Sequence, residues 1–255
     1  MKISTIINKN NRNYLIATLF WLTIWQLVSM ILGQEILLVS PVLAIKKILE
    51  LSLELDFWIS IWSSFIKITN GFILAFIIGI IFAVVASIKE KFRILIEPLM
   101  ATIQAIPVAS FIILCLIWIS SKNLSIVISF LMALPIVYRN ILDGILGISD
   151  ELKDMAKVFK VTNKKKIRYI YLSEVSPYLR TASSVALGLC WKSGIAAEII
   201  GLAENSIGEK LYQAKIYLDT AELFAWTIVI IIVSVIFKKL FLFIINFFLN
   251  RLEIS

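Results

Sequence analysis

Apolar residues fill this chain in long blocks, and its polar residues are gathered into short intervals between them. Six blocks, at about 14–32, 58–87, 94–119, 124–146, 177–200 and 222–245, read as membrane-spanning helices. Each is close to or above the roughly 20 residues that the hydrocarbon core of a bilayer demands. The first follows Lys2, Lys9 and Arg12 and carries Trp21 and Trp25, with no small-residue cleavage site after it, so it reads as an uncleaved span. Pro107 implies a kink or break in the third block, Pro135 lies within the fourth, and Ser176-Pro177 predicts a helix end followed by a new start. Shorter periodic stretches at 42–55 and near Ile207, Leu211, Ala214 and Leu218 read as surface helices. Lys89 to Arg93 and Ser120 to Asn123 read as loops.

The longest polar interval runs from Ser149 to Leu179, and the chain is organised around it. Leu152, Met155, Ala156 and Phe159 fall at i, i+3, i+4 and i+7, while Lys153, Asp154, Lys157 and Lys160 take the opposite face. Ser149 is placed to cap this helix, and Asp150 and Glu151 complement its dipole. The helix is expected to stop at Asn163, ahead of Lys164, Lys165 and Lys166; Lys160 disfavours an earlier left-handed turn, and continuation to Thr162 is the alternative. Its apolar face needs a cover, supplied by this protein, by the lipid surface or by another protein.

Composition agrees with a multi-pass membrane protein: of 255 residues 60% are apolar and only 16% charged, against roughly 45–50% and 25% in soluble domains. The 25 Lys and Arg decide orientation through their placement. Three lie in the tail of residues 1–13, three at 89–93, nine from Arg139 to Arg180 and three from Lys238 onward. Lys46, Lys47, Lys122, Lys210 and Lys215 fall on the other side, and Lys67 and Lys192 within spans. Both termini and the interval 147–176 are therefore expected to be cytoplasmic, in a single transmembrane domain covering 1–255.

Histidine is absent, which removes Ser/His/Asp triads, imidazole relays and His-based metal sites. Cys115 and Cys190 sit inside apolar runs and read as buried small hydrophobes. No phosphate-binding G-x-x-x-x-G-K-[ST] occurs. No catalytic residue, metal or cofactor is therefore expected. The Lys164 to Arg168 cluster fits the cytoplasmic charge bias and calls for no nucleic acid.

The interval resembles the cytoplasmic loop of type I ABC importer permeases, with Asp154, Met155 and Ala156 at its E-A-A positions. Lys160 falls where the pattern has glycine, and Ile170 to Ser173 where it has I-x-L-P; Lys160 and Ser173 depart from it. Further matches are Ser63-Ser64, Gly71-Phe72, Ala105-Ile106-Pro107, Leu134-Pro135, Pro177-Tyr178-Leu179 and the stretch from Ala186 to Gly201, ALGLCWKSGIAAEIIG. Together they are similar to the nitrate/sulfonate/taurine permease group. The resemblance implies an all-α fold with six transmembrane helices and a coupling helix in the plasma membrane. It implies a partner ATPase docked on Leu152, Asp154, Met155, Ala156, Phe159 and Lys160, an extracytoplasmic binding protein, and a second copy of the chain. The solute implied is small and anionic; a thiamine or riboflavin precursor is the alternative. A stand-alone secondary transporter would need more ionisable groups within the spans than this chain offers.

Lys192 lies mid-span, where a cation costs roughly 2.5–3.5 kcal/mol, so it should face protein or a wet cavity. It could line the translocation path with Ser193 and Glu198, or form an ion pair between helices or with a second copy. Glu198 is six residues on, a poor spacing for a pair within one helix, so separate partners are expected. Pro107 and Pro135 are hinge candidates or kinks. Trp58, Trp118 and Trp226, at span ends, are expected to anchor at the membrane interface.

Overall fold

With no water to satisfy backbone groups inside a bilayer, apolar blocks of this length fold as helices, and every regular element in the computed structural model is helical. Residues 3–254 are described, with side chains at 13, 16–249 and 251. Lys2 and the side chains of Lys9 and Arg12 lie outside the described residues. In order, the helices are α1 (Ile3–Leu32), α2 (Pro41–Leu51), α3 (Leu55–Ile88), α4 (Glu90–Ala105), α5 (Val108–Cys115), α6 (Ser121–Leu146), α7 (Asp150–Val158), α8 (Asn163–Lys166), α9 (Leu172–Gly201), α10 (Ile207–Ile216) and α11 (Thr220–Ile254). A π-turn, Ile167–Tyr171, joins α8 to α9. Among the described residues, α3, α6, the continuous run 163–201 and α11 are each long and apolar enough to cross a membrane. The pair α4 and α5 forms at most one more crossing, bent by 104°, and the apolar part of α1, Ile16–Leu32, is shorter.

The chain forms two compact units, residues 1–58 with 210–229, and residues 59–209 with 230–255. In the first, Ser40 caps α2 by accepting the Leu43 N–H at 3.3 Å. The Lys47 ammonium donates to Asp219 at 3.0 Å and lies 3.9 Å from Glu222. That hydrogen bond raises the Lys47 pKa. Burial pushes Asp219 up, but the Glu222 N–H and Lys47 outweigh it and hold the carboxyl below its ordinary value. Lys210 pairs with Asp56. Trp226 is buried against Phe57 and donates to Glu222 at 3.2 Å, so it is a core residue. It is enclosed by packing on Phe57 rather than presented at a surface as an interfacial anchor, unlike Trp58, whose indole N–H also bonds within the unit. Trp58 and Trp118 are exposed.

In the second unit α6 packs along α9. Ser129 Oγ donates to the Cys190 carbonyl at 3.3 Å, and Cys190 Sγ to the Ser129 carbonyl at 3.2 Å. A methyl at Gly194 would lie 2.6 Å from Ser129 Oγ, so the two helices meet where one has no side chain, the packing mode that small residues give inside membranes. Ile103, Ile112, Cys115, Leu124, Ile128, Met132 and Ala197 form a core beside this contact, and both cysteines are free and buried.

Several boundaries differ from those the sequence predicts. Lys89 alone separates α3 from α4, and the expected loop at 89–93 is otherwise helix, begun by Glu90, which favours the helix N-terminus and lies 3.7 Å from Arg93. The turn near 120 precedes Ser121, where α6 already begins. Ser176-Pro177 does not divide two helices: Pro177 lies inside α9. The π-turn just before it is the kind of local adjustment that lets a membrane helix absorb a proline. Arg251 belongs to α11 rather than to a tail.

Candidate functional site

The polar interval folds as a helix ended by a tight turn. Ser149 accepts the Leu152 N–H at 3.4 Å, and α7 stops at Val158. The Val161 N–H then bonds to the Ala156 carbonyl and the Lys160 N–H to that of Lys157, both at 3.0 Å, with Lys160 at φ 47°. This is a Schellman ending whose left-handed position is a lysine. The helix therefore does not continue to Thr162, and Asn163 opens α8 instead of stopping α7. The left-handed turn forms without glycine because its two backbone hydrogen bonds and the packing of Val161 near Ala156 offset the strain of the lysine.

The apolar face of α7 is divided. Ala156 is 4% exposed and packs with Ile148 and Ile170, with Leu152, Val161 and Tyr171 against them. Thus the protein itself covers one part of this face. Met155, Val158 and Phe159 point outward, 45%, 76% and 75% exposed. Val158 was not singled out from sequence, although its i+3 spacing from Met155 is the available signal. Asp154 accepts a 2.8 Å hydrogen bond from Lys157, which lowers the Asp154 pKa and raises that of Lys157.

The second region is the end of α9. Trp191 and Glu198, seven residues apart, are both buried, and Ser193 is buried with them. Glu198 Oε2 accepts from Ser64 Oγ on α3 at 2.7 Å and from the Gly208 N–H on α10 at 3.3 Å. Ser64 Oγ in turn accepts the Ile207 N–H at 2.9 Å. Glu198 Oε1 and Ser125 Oγ are buried with no other partner and interact with one another. A methyl at Gly208 would lie 2.3 Å from Glu198 Cβ, so glycine is needed for the first turn of α10 to close onto α9. Leu202 at φ 49° and the Ala203 N–H bonded to the Glu198 carbonyl at 3.1 Å turn the chain there. The carboxyl thus ties α3, α9 and the start of α10 together. Sequence reasoning flagged Glu198 but not Gly208, which has no distinguishing pattern; Ser64 entered only through the family resemblance.

Lys192 lies on the other face of α9, exposed, in line with Thr181, Val185 and Gly188. It has no ion-pair partner among the described residues. The structure therefore separates Lys192 from Ser193 and Glu198. Pro107 stands at the break between α4 and α5, whereas Pro135 is buried within an unbroken α6.

Long apolar helices, with the amphipathic α7 set between α6 and α9, make a multi-pass membrane protein. The chain belongs to the family described as the binding-protein-dependent transport system inner membrane component, which matches residues 71–254. It is similar to the nitrate import permease protein NrtB of Synechococcus elongatus, 25% identical over 79% of this chain and 75% of that one. It is 22% identical to SsuC of Bacillus subtilis (strain 168), named for aliphatic sulfonates transport, over 84% of this chain and 78% of the relative. The bicarbonate transport system permease protein CmpB of Synechococcus elongatus is 25% identical over 62% of this chain and 57% of its own length. A crystal structure of an amino acid ABC transporter with histidines superposes with a TM-score of 0.53 at 16% identity, over 76% of this chain and 94% of the other. That likeness is one of fold, the type I importer permease fold.

Proposed function

We propose that this permease subunit carries a small anionic solute inward across the plasma membrane, driven by a separate ATPase docked on the exposed end of α7. The observation that carries the reading is the cluster of Met155, Val158 and Phe159, apolar, outward and seated on a helix that Ala156 fixes from behind. Such a face suits an apolar groove on a partner protein, with Leu152 and Asp154 supporting the helix and Lys160 setting its exit. The placement of cations supports cytoplasmic termini and a cytoplasmic docking loop. An extracytoplasmic binding protein delivers the solute, and the chain acts as one transmembrane domain, paired with a second copy.

Lys192 lines the path and attracts the anion. Its exposed, unpaired cation on a face with small residues supports that role, and names of relatives transporting nitrate, sulfonates and bicarbonate fit an anion. Ser193 and Glu198 hold the wall behind it, and Pro107, at the helix break, serves as a hinge with Pro135 in the adjoining wall. A pyrimidine-type thiamine precursor is the second reading, favoured by similarity to the formylaminopyrimidine transport permease protein ThiX of Halalkalibacterium halodurans, at 22% identity.

The test is Phe159→Asp, with co-purification of an ATPase and ATP-dependent uptake as readouts. Loss of both in a protein that still melts like the wild type is expected; retained association and uptake would sink the docking role. Uptake by Lys192→Met equal to wild type, for anion and pyrimidine alike, would remove the lysine from the path.

A further inference from the structure

A cavity of about 850 Å³ opens at the end of the second unit where α3, α6 and α9 meet the polar interval. Its walls grade from apolar to cationic in one direction. Ile80, Ile141 and Leu179 line it deeper along the spans, and Lys153, Asn163 and Lys166 line its mouth. The two lysines there are half-buried, whereas Lys164 and Lys165 beside them are exposed. Lys153 shares its charge with exposed Asp150 at 3.1 Å, but Lys166 has no carboxylate partner among the described residues. A half-buried lysine without a carboxylate partner, above an apolar slot, suits an anion attached to a hydrocarbon.

We propose that this cavity binds an anionic phospholipid, its acyl chain lying between α3, α6 and α9 and its phosphate held by Lys166 and Lys153. Order along the cavity matches order along the lipid: hydrocarbon toward the span interior, phosphate at the level where the helices emerge. Basic pockets between membrane helices recognise lipid headgroups in this way. A soluble phosphate would use the lysines but leave the apolar walls uncovered, and an apolar protein segment would leave Lys166 unpaired. The site stands whether or not α7 docks an ATPase. Because α7 contributes Lys153 and α8 Lys166, the lipid would tether the interval to the spans.

The test is native mass spectrometry of the full chain in a mild detergent, titrated with dioleoyl phosphatidylglycerol, dioleoyl phosphatidylcholine or glycerol phosphate. Phosphatidylglycerol is expected to bind at least about fivefold more tightly than phosphatidylcholine, the equivalent of roughly 1 kcal/mol for one lysine near a headgroup, and glycerol phosphate not at all. Lys153→Gln with Lys166→Gln should remove the preference, Lys166→Arg should keep it, and Val84→Trp should weaken both lipids by filling the slot. Lys164→Gln with Lys165→Gln should change nothing. Equal binding of the two lipids, binding of glycerol phosphate alone, or an equal loss from the Lys164 and Lys165 pair would overturn the proposal.

Discussion

Removing the Glu198 carboxyl tests the tie at the end of α9. In Glu198→Ala, Ser64 Oγ and the Gly208 N–H lose the oxygen they now share at 2.7 and 3.3 Å. Ser64 still accepts from Ile207 at 2.9 Å, but both donors are left buried. At about 1–3 kcal/mol for each buried unpaired donor, the cost is about 2–6 kcal/mol, less whatever is recovered by no longer burying a carboxyl. With about 2–4 °C per kcal/mol for a chain of this size, melting should fall by on the order of 10 °C. The two buried cysteines supply the assay, since a thiol-reactive fluorophore reaches Cys115 and Cys190 only as the helices separate. Glu198→Gln separates geometry from charge. Its carbonyl can accept both donors, and its amide replaces Oε1 and can donate to Ser125 Oγ, which is buried and already faces the carboxyl. The glutamine variant should therefore melt near the wild type. An alanine variant that melts with the wild type, or a glutamine variant that falls as far as alanine, would refute the reasoning.

Three further outcomes follow from local geometry. Gly208→Ala places a methyl 2.3 Å from Glu198 Cβ and should cost at least the roughly 1–3 kcal/mol of overpacking; an unchanged melt would show that the first turn of α10 moves freely away from α9. Lys160→Gly relieves a left-handed lysine worth about 1–2 kcal/mol, partly offset by about 0.4–1 kcal/mol of glycine's freedom when unfolded. It should thus be neutral or mildly stabilising while Lys160→Val destabilises, and equal losses would exclude strain at this turn. Asp219 has a lowered pKa, so its pairing with Lys47 stabilises above the ordinary carboxylate pKa and is lost as pH falls through the folded value; Lys47, raised, loses its share as pH rises through its own. The melting difference between wild type and Lys47→Met should be flat from about pH 5 to 9 and shrink on both sides, and a difference unchanged at pH 3 would contradict the pairing.

What was legible in the sequence was mostly periodic. The helix cap at Ser149 and the short helix of the polar interval are local patterns and survive in the structure. Of the six expected spans, four lie in helices long and apolar enough to cross among the described residues, the block holding Pro107 is bent by 104°, and the apolar part of the first is shorter. Pro177 misled because a proline's effect depends on whether the preceding turn can loosen, and the π-turn at 167–171 is not encoded by any short motif. Ala156 and Phe159 share one predicted face, but which of them the protein covers depends on Ile148 and Ile170, the latter 14 residues from Ala156. Glu198 advertised itself as an acid in an apolar run. Its partners did not, since Ser64 is 134 residues away and the Gly208 contact is made by a backbone N–H. Trp226 stood at a span end like Trp58 and Trp118, and only tertiary packing assigns it to a core.

The left-handed lysine at the end of α7 also affects partner fidelity. A permease with glycine at that turn presents only backbone there, whereas this chain presents a long exposed cation beside Met155 and Phe159. On the proposed docking role, a cognate ATPase must place an acceptor or open water opposite that ammonium, and one fitted to a glycine turn would bury it without compensation. On that role one residue, tolerated by the backbone at modest cost, would discriminate between matched and mismatched ATPase subunits.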